Sequence, residues 1–246
     1  MSVDIGLEVN GAPLERVLVV TAHPDDVDFS AGGTVASWTA AGVSVSYCIC
    51  TDGDAGGFDV DLPRSEIPRI RRAEQTEAAK ALGVSDLHWL GFPDGALQVG
   101  LDLRRAITRV IRRARPQRVV CENPERTWQS VYASHPDHLA SGEAALCAVY
   151  PDARNPFAFP ELLAEGFEPH AVAEAWIMTG EGADRVVDVT DLLERKLDAL
   201  RCHVSQLTDA DGRLEERMRA WMGANAQAGG LVAGRLAESF RSFATA

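Results

Sequence analysis

The chain has 246 residues, of which 46% are hydrophobic, so it can form one large domain or two small ones around a substantial core. Its formal net charge of −12 argues against nucleic acid as a partner, because such a surface repels a polyanion. The sequence contains no run of about 18 consecutive apolar residues, so we expect no membrane span and no membrane partner.

The cysteines and the N-terminal residues indicate in which cellular compartment the protein is expected. The chain has five cysteines, an odd number, without a Cys-x-x-Cys spacing, so a thiolate zinc site is not expected. We interpret them as small buried hydrophobic residues in a reducing compartment. The first 15 residues lack a basic region followed by a long apolar core, unlike a secretory signal. The expected location is the cytoplasm.

The first half of the chain alternates between predicted strands and helices. Short β-branched and apolar runs predict strands at 16–21, 43–50, 87–90 and 118–121. Longer segments between them predict helices at 32–41, 69–82 and 101–115. This alternation is typical of a mainly parallel sheet with helices on both faces.

The second half continues the pattern less regularly. A helix is predicted from Pro136 to about Tyr150, with Ser134 or His135 as its N-cap. Strands at 173–178 and 185–189 and a helix at 191–203 are predicted to follow. We interpret the chain as a single domain over 1–246, with a core at about 16–206 and a C-terminal helical extension at 207–246.

Polar side chains follow each strand of the first half. They are His23, Asp52, Asp94 and Asn123. Open parallel sheets bind ligands at the carboxyl ends of their strands. We therefore expect the functional site at this edge of the sheet.

The segment 22–26 places one imidazole, His23, and two carboxylates, Asp25 and Asp26, on one tight turn. Pro24 fixes its own φ and keeps His23 out of helical geometry. Adjacent carboxylates do not easily point the same way, so one can bind a metal while the other faces the substrate. Imidazole together with carboxylate suits zinc and related ions. The alternative is that the two aspartates only cap a nearby helix.

The segment 135–138 adds His135 and His138, whose spacing puts both on one face at the start of a helix. Asp137 lies between them, and ligating or catalytic imidazoles usually donate their second N–H to a carboxylate. The alternative is a pair of solvated histidines. A His-x-x-His pair is weak evidence for a metal site by itself. The segment 22–26, which offers further ligands, strengthens this interpretation.

Together the two segments predict a zinc site made by His23, Asp26 and His138, with the open position that catalytic zinc keeps for water. The metal would lower the pKa of that water toward about 7. We hypothesise that Asp25 takes the proton as general base and that His135 stabilises the oxyanion and protonates the leaving amine. Fe²⁺ or another divalent ion is an alternative to zinc, because these ligand types select zinc only weakly.

Further short motifs extend the pattern from residue 16 to about residue 206. They are His-Pro-Asp-Asp-Val-Asp at 23–28, Gly-Gly-Thr at 32–34, Thr-Asp-Gly-Asp-Ala-Gly-Gly at 51–57, Ile-Arg-Arg-Ala-Glu at 70–74, Ala-Ala and Leu-Gly-Val within 78–84, Leu-Gly-Phe-Pro-Asp-Gly at 90–95, His-Pro-Asp-His at 135–138 and His-Val-Ser-Gln at 203–206. In this order they resemble the LmbE-like, or PIG-L-type, N-acetylglucosaminyl deacetylases.

The resemblance implies a fold, an activity and a cofactor. The fold is α/β, a Rossmann-like three-layer sandwich with a mainly parallel sheet. The activity is hydrolysis of an N-acyl group, usually acetyl, from a small-molecule amino sugar, with one zinc per subunit. Matched by position, the metal ligands are His23, Asp26 and His138, the general base is Asp25 and the general acid is His135. Relatives frequently form homo-oligomers.

The resemblance also implies roles around this centre. Arg71 and Asp94 match positions that hold the sugar or its aglycone in relatives. Asp28 matches a supporting position next to the metal site, where many relatives have Glu. Without the resemblance, Arg71 would be an ordinary surface charge on its helix and Asp94 a turn residue favoured before glycine.

The sequence argues against a dinucleotide-dependent oxidoreductase, the other common function of an alternating α/β chain. Such an enzyme needs Gly-x-Gly-x-x-Gly after the first strand, where this chain has His-Pro-Asp-Asp. Two alternatives stay open: an amidase that cleaves a larger N-acyl or thiol conjugate of a glucosaminyl compound, and a non-catalytic sugar-binding relative.

Overall fold

The structure, a computed structural model, describes residues 5–128, 131, 134–179, 181–207 and 212–245. In these ranges one sheet lies between two layers of helices. None of the helices that they contain is both long and apolar enough to cross a bilayer.

Seven strands of the described residues form the central sheet. In chain order they are β3 (Arg16–Thr21), β4 (Ser44–Thr51), β5 (Asp86–Phe92), β6 (Arg118–Cys121), β7 (Glu174–Met178), β8 (Arg185–Asp188) and β9 (Ala237–Ala244), after a small hairpin of β1 (Glu8–Val9) and β2 (Ala12–Pro13). Their order in space is β5-β4-β3-β6-β7-β9-β8. Neighbours from β5 to β7 pair in parallel, and β9 is antiparallel to both β7 and β8. The predicted mainly parallel sheet is confirmed.

Helices cover both faces of this sheet, because the side chains of each strand alternate between two cores. In β3, Val17 and Val19 pack into one core, whereas Leu18 and Val20 pack into the other. The first core is covered by α1 (Asp26–Ala40), α2 (Ile67–Ala81), α6 (Leu193–Arg201) and α7 (Leu214–Ala228), and the second by α3 (Leu101–Ala114) and α4 (Pro136–Cys147). A short α5 (Pro160–Ala164) follows α4. The predicted three-layer α/β fold is confirmed.

Helix α1 begins at Asp26, well before its predicted start at residue 32. Gly32 and Gly33, at the predicted start, lie inside the helix. A Cβ at Gly33 would stand 2.8 Å from the Cβ of Val189, so this glycine allows close packing rather than a helix end. The earlier start places Asp26 in the first turn of α1, directly after the turn formed by Pro24 and Asp25.

The tail differs more from its prediction, a helical extension over 207–246. Residues of α7 are helical, but β9 is a strand that lies between β7 and β8 in the sheet. Ala237 and Phe240 are fully buried in this strand, and so is Glu238. A charged residue at a core position, with alanine and serine around it, hides the alternation of apolar residues that predicts strands.

The buried pair Lys196–Glu238 connects this strand and α6 to α1. Both side chains are fully buried, with 2.6 Å between Nζ and Oε1. The ammonium also donates to the carbonyl oxygen of Phe29 at 2.5 Å, and the carboxylate accepts from the N–H groups of Gly33 and Thr34 at 2.9 and 2.7 Å. The partners of the pair are therefore each other and the backbone of α1. Loss of one partner leaves the other charge in an apolar interior.

We expect Lys196→Met to destabilise the protein by about 3–5 kcal/mol, because Glu238 then stays buried without its counter-ion. The double variant Lys196→Met/Glu238→Leu should lose less, since the Phe29 carbonyl and the Gly33 N–H can pair within the helix. Denaturant unfolding of the wild type, both single variants and the double variant measures the difference. Losses that simply add would contradict the coupling.

Candidate metal centre

The two histidine-bearing segments meet at the carboxyl edge of the sheet. His23 lies just after β3, Glu122 lies directly after β6, and α4 carries His138 in its first turn. The loops after β4 and β5 approach from the other side and bring in Gly53 and Asp94. This is the edge at which open parallel sheets bind ligands.

Three predicted metal ligands place their donor atoms next to one another. Nδ1 of His23 lies 3.2 Å from Nε2 of His138 and 3.5 Å from Oδ2 of Asp26, and Nε2 of His138 lies 3.1 Å from Oδ1 of Asp26. Ligands bound tetrahedrally at about 2.0–2.1 Å from a zinc ion are separated by about 3.3 Å. The spacing and the donor types therefore fit a small divalent cation.

Other potential ligands surround this trio. Among the described residues, groups of three whose donor atoms lie within 4.8 Å of one another are His23–His135–His138, His23–Asp94–Asp137 and Asp26–Glu122–His138. The groups overlap, so they form one continuous cluster. Carboxylates dominate it, and a divalent cation would offset their mutual repulsion.

The charges in the cluster strongly shift the pKa values of its members. Burial alone would lower the pKa of His23, but Asp26, Asp137 and Asp94 outweigh burial and raise that pKa to about 12. Burial would raise the pKa of Asp26, but His138 and His23 hold it well below its usual value. Asp26 is therefore an anion, the form that binds a metal.

Asp25 occupies a different environment from its neighbour. Its backbone has a φ of 94°, a left-handed conformation that aspartate rarely adopts, and its side chain makes no capping hydrogen bond to α1. One carboxylate oxygen lies 3.1 Å from Nη2 of Arg71. Burial and the charge of Asp26 outweigh Arg71 and raise the pKa of Asp25 to about 7. Asp25 therefore does not serve as a simple helix cap.

His135 is the N-cap of α4. It is one of the two residues predicted for this position, and Ser134 is the other. Nδ1 of His135 accepts the backbone N–H of Asp137 at 3.2 Å, so in the neutral ring the proton is on Nε2. The ring centroid lies 4.8 Å from that of His23. Burial together with His23 and His138 lowers the pKa of His135. The residue is thus a neutral N–H donor beside the candidate ligands.

Asp137 and Asp94 both face the outer nitrogen of His23. Nε2 of His23 lies 3.2 Å from a carboxylate oxygen of each. Asp137 is fully buried and accepts the N–H groups of Gly95 and Leu97 at 2.6 and 3.1 Å. Asp137, predicted to support a ligating or catalytic imidazole, thus lies against the imidazole of His23. The structure also brings Asp94, predicted to bind substrate, into the same contact.

Arg71 is buried and joins two loops of the site. It donates to the carbonyl oxygens of Pro24 and Gly53 at 2.6 and 3.0 Å, besides its contact with Asp25. Its Nε is buried without a hydrogen-bond partner in the described part of the chain. Gly53 has a φ of 63°, and a Cβ there would overlap Nη1 of Arg71, so this position requires glycine. The loop after β4 therefore borders the site.

Asp28 does not reach the candidate ligands directly. It is fully buried and accepts hydrogen bonds from Nε2 of Gln75 and Nε2 of His203, both at 2.8 Å. Gln75 in turn accepts the backbone N–H of Asp25 at 2.7 Å. Sequence reasoning missed Gln75, although it lies four residues after Arg71 and therefore on the same face of α2.

Glu122 was also missed by sequence reasoning, which began the segment after β6 at Asn123. Its carboxylate lies 4.0 Å from Nδ1 of His138, and burial and Asp26 raise its pKa to about 8. A Cβ at Gly142 would overlap the carbonyl oxygen of Glu122, so this glycine lets α4 approach the end of β6. An acidic residue directly after a buried strand was the available signal.

Comparisons with known proteins give a consistent result. The family described as PIG-L, GlcNAc-PI de-N-acetylase, matches residues 18–149. The chain is 33% identical over 196 residues to a diacetylchitobiose deacetylase of Thermococcus kodakarensis, covering 80% of this chain and 72% of that protein. It is 35% identical over 201 residues to a probable N-acetyl-α-D-glucosaminyl L-malate deacetylase 2 of Bacillus cereus, covering 78% and 84%.

A solved structure is also similar. The N,N′-diacetylchitobiose deacetylase from Pyrococcus horikoshii, in complex with an inhibitor, superposes with a TM-score of 0.85 at 31% sequence identity. The match covers 94% of this chain and 84% of that one. The similarity thus extends over nearly the whole of this chain.

We expect Asp26→Ala and His138→Ala to lose most of the bound metal, because each removes one donor of the trio. Asp25→Asn should retain roughly one ion per chain, since Asp25 faces Arg71 instead. Metal analysis of the purified proteins measures this, with His88→Ala as a control for a histidine outside the cluster. Full metal content in Asp26→Ala, or its loss in Asp25→Asn, would reverse the assignment of the two aspartates.

Proposed function

Since the chain belongs to the PIG-L family, we propose that it is a metal-dependent N-deacetylase that hydrolyses the N-acetyl group of an N-acetylglucosamine-containing small molecule. One observation carries the proposal. The donor atoms of His23, Asp26 and His138 lie 3.1–3.5 Å apart. Asp25, which lies between His23 and Asp26 in the sequence, has a carboxyl group with a pKa of about 7. Three candidate metal ligands beside a carboxyl group that can act as an acid or base are the groups that a metal-assisted hydrolase needs.

We assign the metal to this trio, with zinc as the first choice and Fe²⁺ or another divalent ion as the alternative. Two imidazoles and one carboxylate would hold the cation, and catalytic zinc sites use this kind of donor set. A divalent cation bound there would supply a water of lowered pKa and polarise the amide carbonyl. Asp137, which contacts the outer nitrogen of His23, orients that imidazole.

We assign the general base to Asp25. Its pKa of about 7 suits a group that must be ionised at neutral pH and yet accept a proton from water. Arg71 holds one carboxylate oxygen at 3.1 Å and leaves the other to take the proton. Asp25 contacts Arg71, whereas Asp26 contacts His23 and His138, so the two carboxylates have different partners.

We assign the general acid to His135. Because Nδ1 accepts a backbone N–H, the ring presents Nε2–H to the reacting amide. That N–H can stabilise the developing oxyanion. A neutral imidazole has no further proton to give, so protonation of the leaving amine nitrogen needs His135 as the imidazolium, which returns to the neutral ring when it gives its proton up. Asp25 takes one proton from water and the imidazolium gives one to the amine, so acetate and a free amine are released. The proton held by Asp25 then returns to the imidazole through solvent.

We place the amino sugar against Arg71 and Asp94, which lie beside Asp25 and His23. The carboxylate of Asp94 is a group that sugar hydroxyls can pair with. A cytoplasmic location and a homo-oligomer stay predictions.

The wild type should release acetate from N-acetylglucosamine derivatives, lose this activity with a chelator and regain it with added zinc. Asp25→Asn and His135→Gln should each lower kcat about 100- to 10,000-fold, because each removes one proton-transfer group. Acetate release measures both, with Asp191→Asn as an exposed carboxylate control.

The same substrate panel should contain larger N-acyl and thiol conjugates of glucosamine. Amine release from these conjugates alone would favour the amidase alternative. No release from any compound by the metal-loaded protein would favour a sugar-binding protein and would contradict the proposed activity.

A further inference from the structure

Gln75 makes a fully buried bridge between the turn that carries Asp25 and the interior of the protein. Its side chain lies on α2 and has no exposed surface. Oε1 accepts the backbone N–H of Asp25 at 2.7 Å, and Nε2 donates to Oδ2 of Asp28 at 2.8 Å. Both ends of the amide are therefore engaged, and one end holds the residue assigned as general base.

The backbone of Asp25 needs such support. At a φ of 94° this aspartate is in a region that non-glycine residues adopt only when the surrounding structure holds them there. Arg71 restrains the carbonyl of Pro24 and the Asp25 carboxylate, but the N–H between them is held by Gln75. Without Gln75 this partly buried N–H has lost its hydrogen-bond acceptor, and the turn can relax toward ordinary backbone geometry.

Asp28 and His203 fix the orientation of the Gln75 amide. Oδ2 of Asp28 accepts from the NH₂ end of Gln75, and this turns the amide oxygen toward the N–H of Asp25. His203, in the segment after α6, is also fully buried, and its Nε2 lies 2.8 Å from the same Asp28 oxygen. The orientation is thus set by residues that touch neither the candidate metal ligands nor the expected substrate position.

We propose that Gln75 is a positioning residue for the general base, and that Asp28 and His203 set the direction of its amide. The proposal rests on the deacetylase function proposed above. Gln75 holds the Asp25 backbone so that the carboxyl faces the attacking water. Its effect therefore falls on the chemical step rather than on metal binding or on substrate binding.

Gln75→Met removes both hydrogen bonds and keeps the size of the side chain. We expect kcat for acetate release to fall about 10- to 100-fold, as for other residues that orient catalytic groups. KM should stay within about twofold and the metal content should stay at the wild-type value. Leu82→Val is the control, because it loosens the core at the end of α2 without contacting the turn.

An exchange of the bridge partners separates positioning from simple destabilisation. Gln75→Glu keeps an acceptor for the Asp25 N–H but sets a second carboxylate against Asp28, and kcat should fall. Adding Asp28→Asn restores a donor at the bridge, because the new amide nitrogen, at the place of Oδ2, can donate one hydrogen to the carboxylate introduced at position 75 and the other to Nε2 of His203, whose proton then lies on Nδ1. The double variant should recover at least about tenfold in kcat over Gln75→Glu.

The outcomes distinguish this proposal from the proposed function. If the wild type releases no acetate, the proposed function fails before any variant is made. If the wild type is active and Gln75→Met keeps its kcat, the positioning role is wrong although the deacetylase stands. A fall in kcat that Leu82→Val reproduces at equal thermal stability, or no recovery in the double variant, would also overturn it.

Discussion

One turn of the backbone decides how this site works. Pro24 and Asp25 separate the end of β3 from the start of α1, and Asp25 has a left-handed backbone conformation there. Asp26 turns toward His23 and His138, whereas Asp25 turns toward Arg71. The strain is held by buried contacts to the turn.

The same separation sets the two ionisation states. The imidazoles around Asp26 lower its pKa, while the charge of Asp26 itself, together with burial, raises the pKa of Asp25 to about 7. One carboxyl thus prepares the other for proton transfer, and Arg71 limits how far the pKa of Asp25 rises. Two identical side chains acquire opposite properties because their surroundings differ, which is the general way that acid–base sites are tuned.

The sequence predicted what local pattern controls and missed what tertiary packing controls. Short β-branched and apolar runs located the strands from β3 to β8 to within about two residues, and the polar residues after β3 to β6 indicated the edge of the sheet where the candidate ligands lie. The start of α1 was predicted too late, at Gly32, because no local pattern shows that Gly33 packs against Val189 inside the helix. Gln75 could not be assigned a role, because its partners lie on the turn and on α1, far away in the sequence.

The tail shows why motif residues do not act alone. Glu238 of β9 reaches the N–H groups of Gly33 and Thr34, and Lys196 reaches the carbonyl of Phe29 in the preceding turn. These contacts hold the middle of α1, whose first turn carries Asp26. A helix held at its middle by a buried ion pair and at its start by hydrogen bonds through Asp28 can present a strained turn without relaxing it. The charge buried in the tail thus contributes to the geometry of a site to which it supplies no ligand.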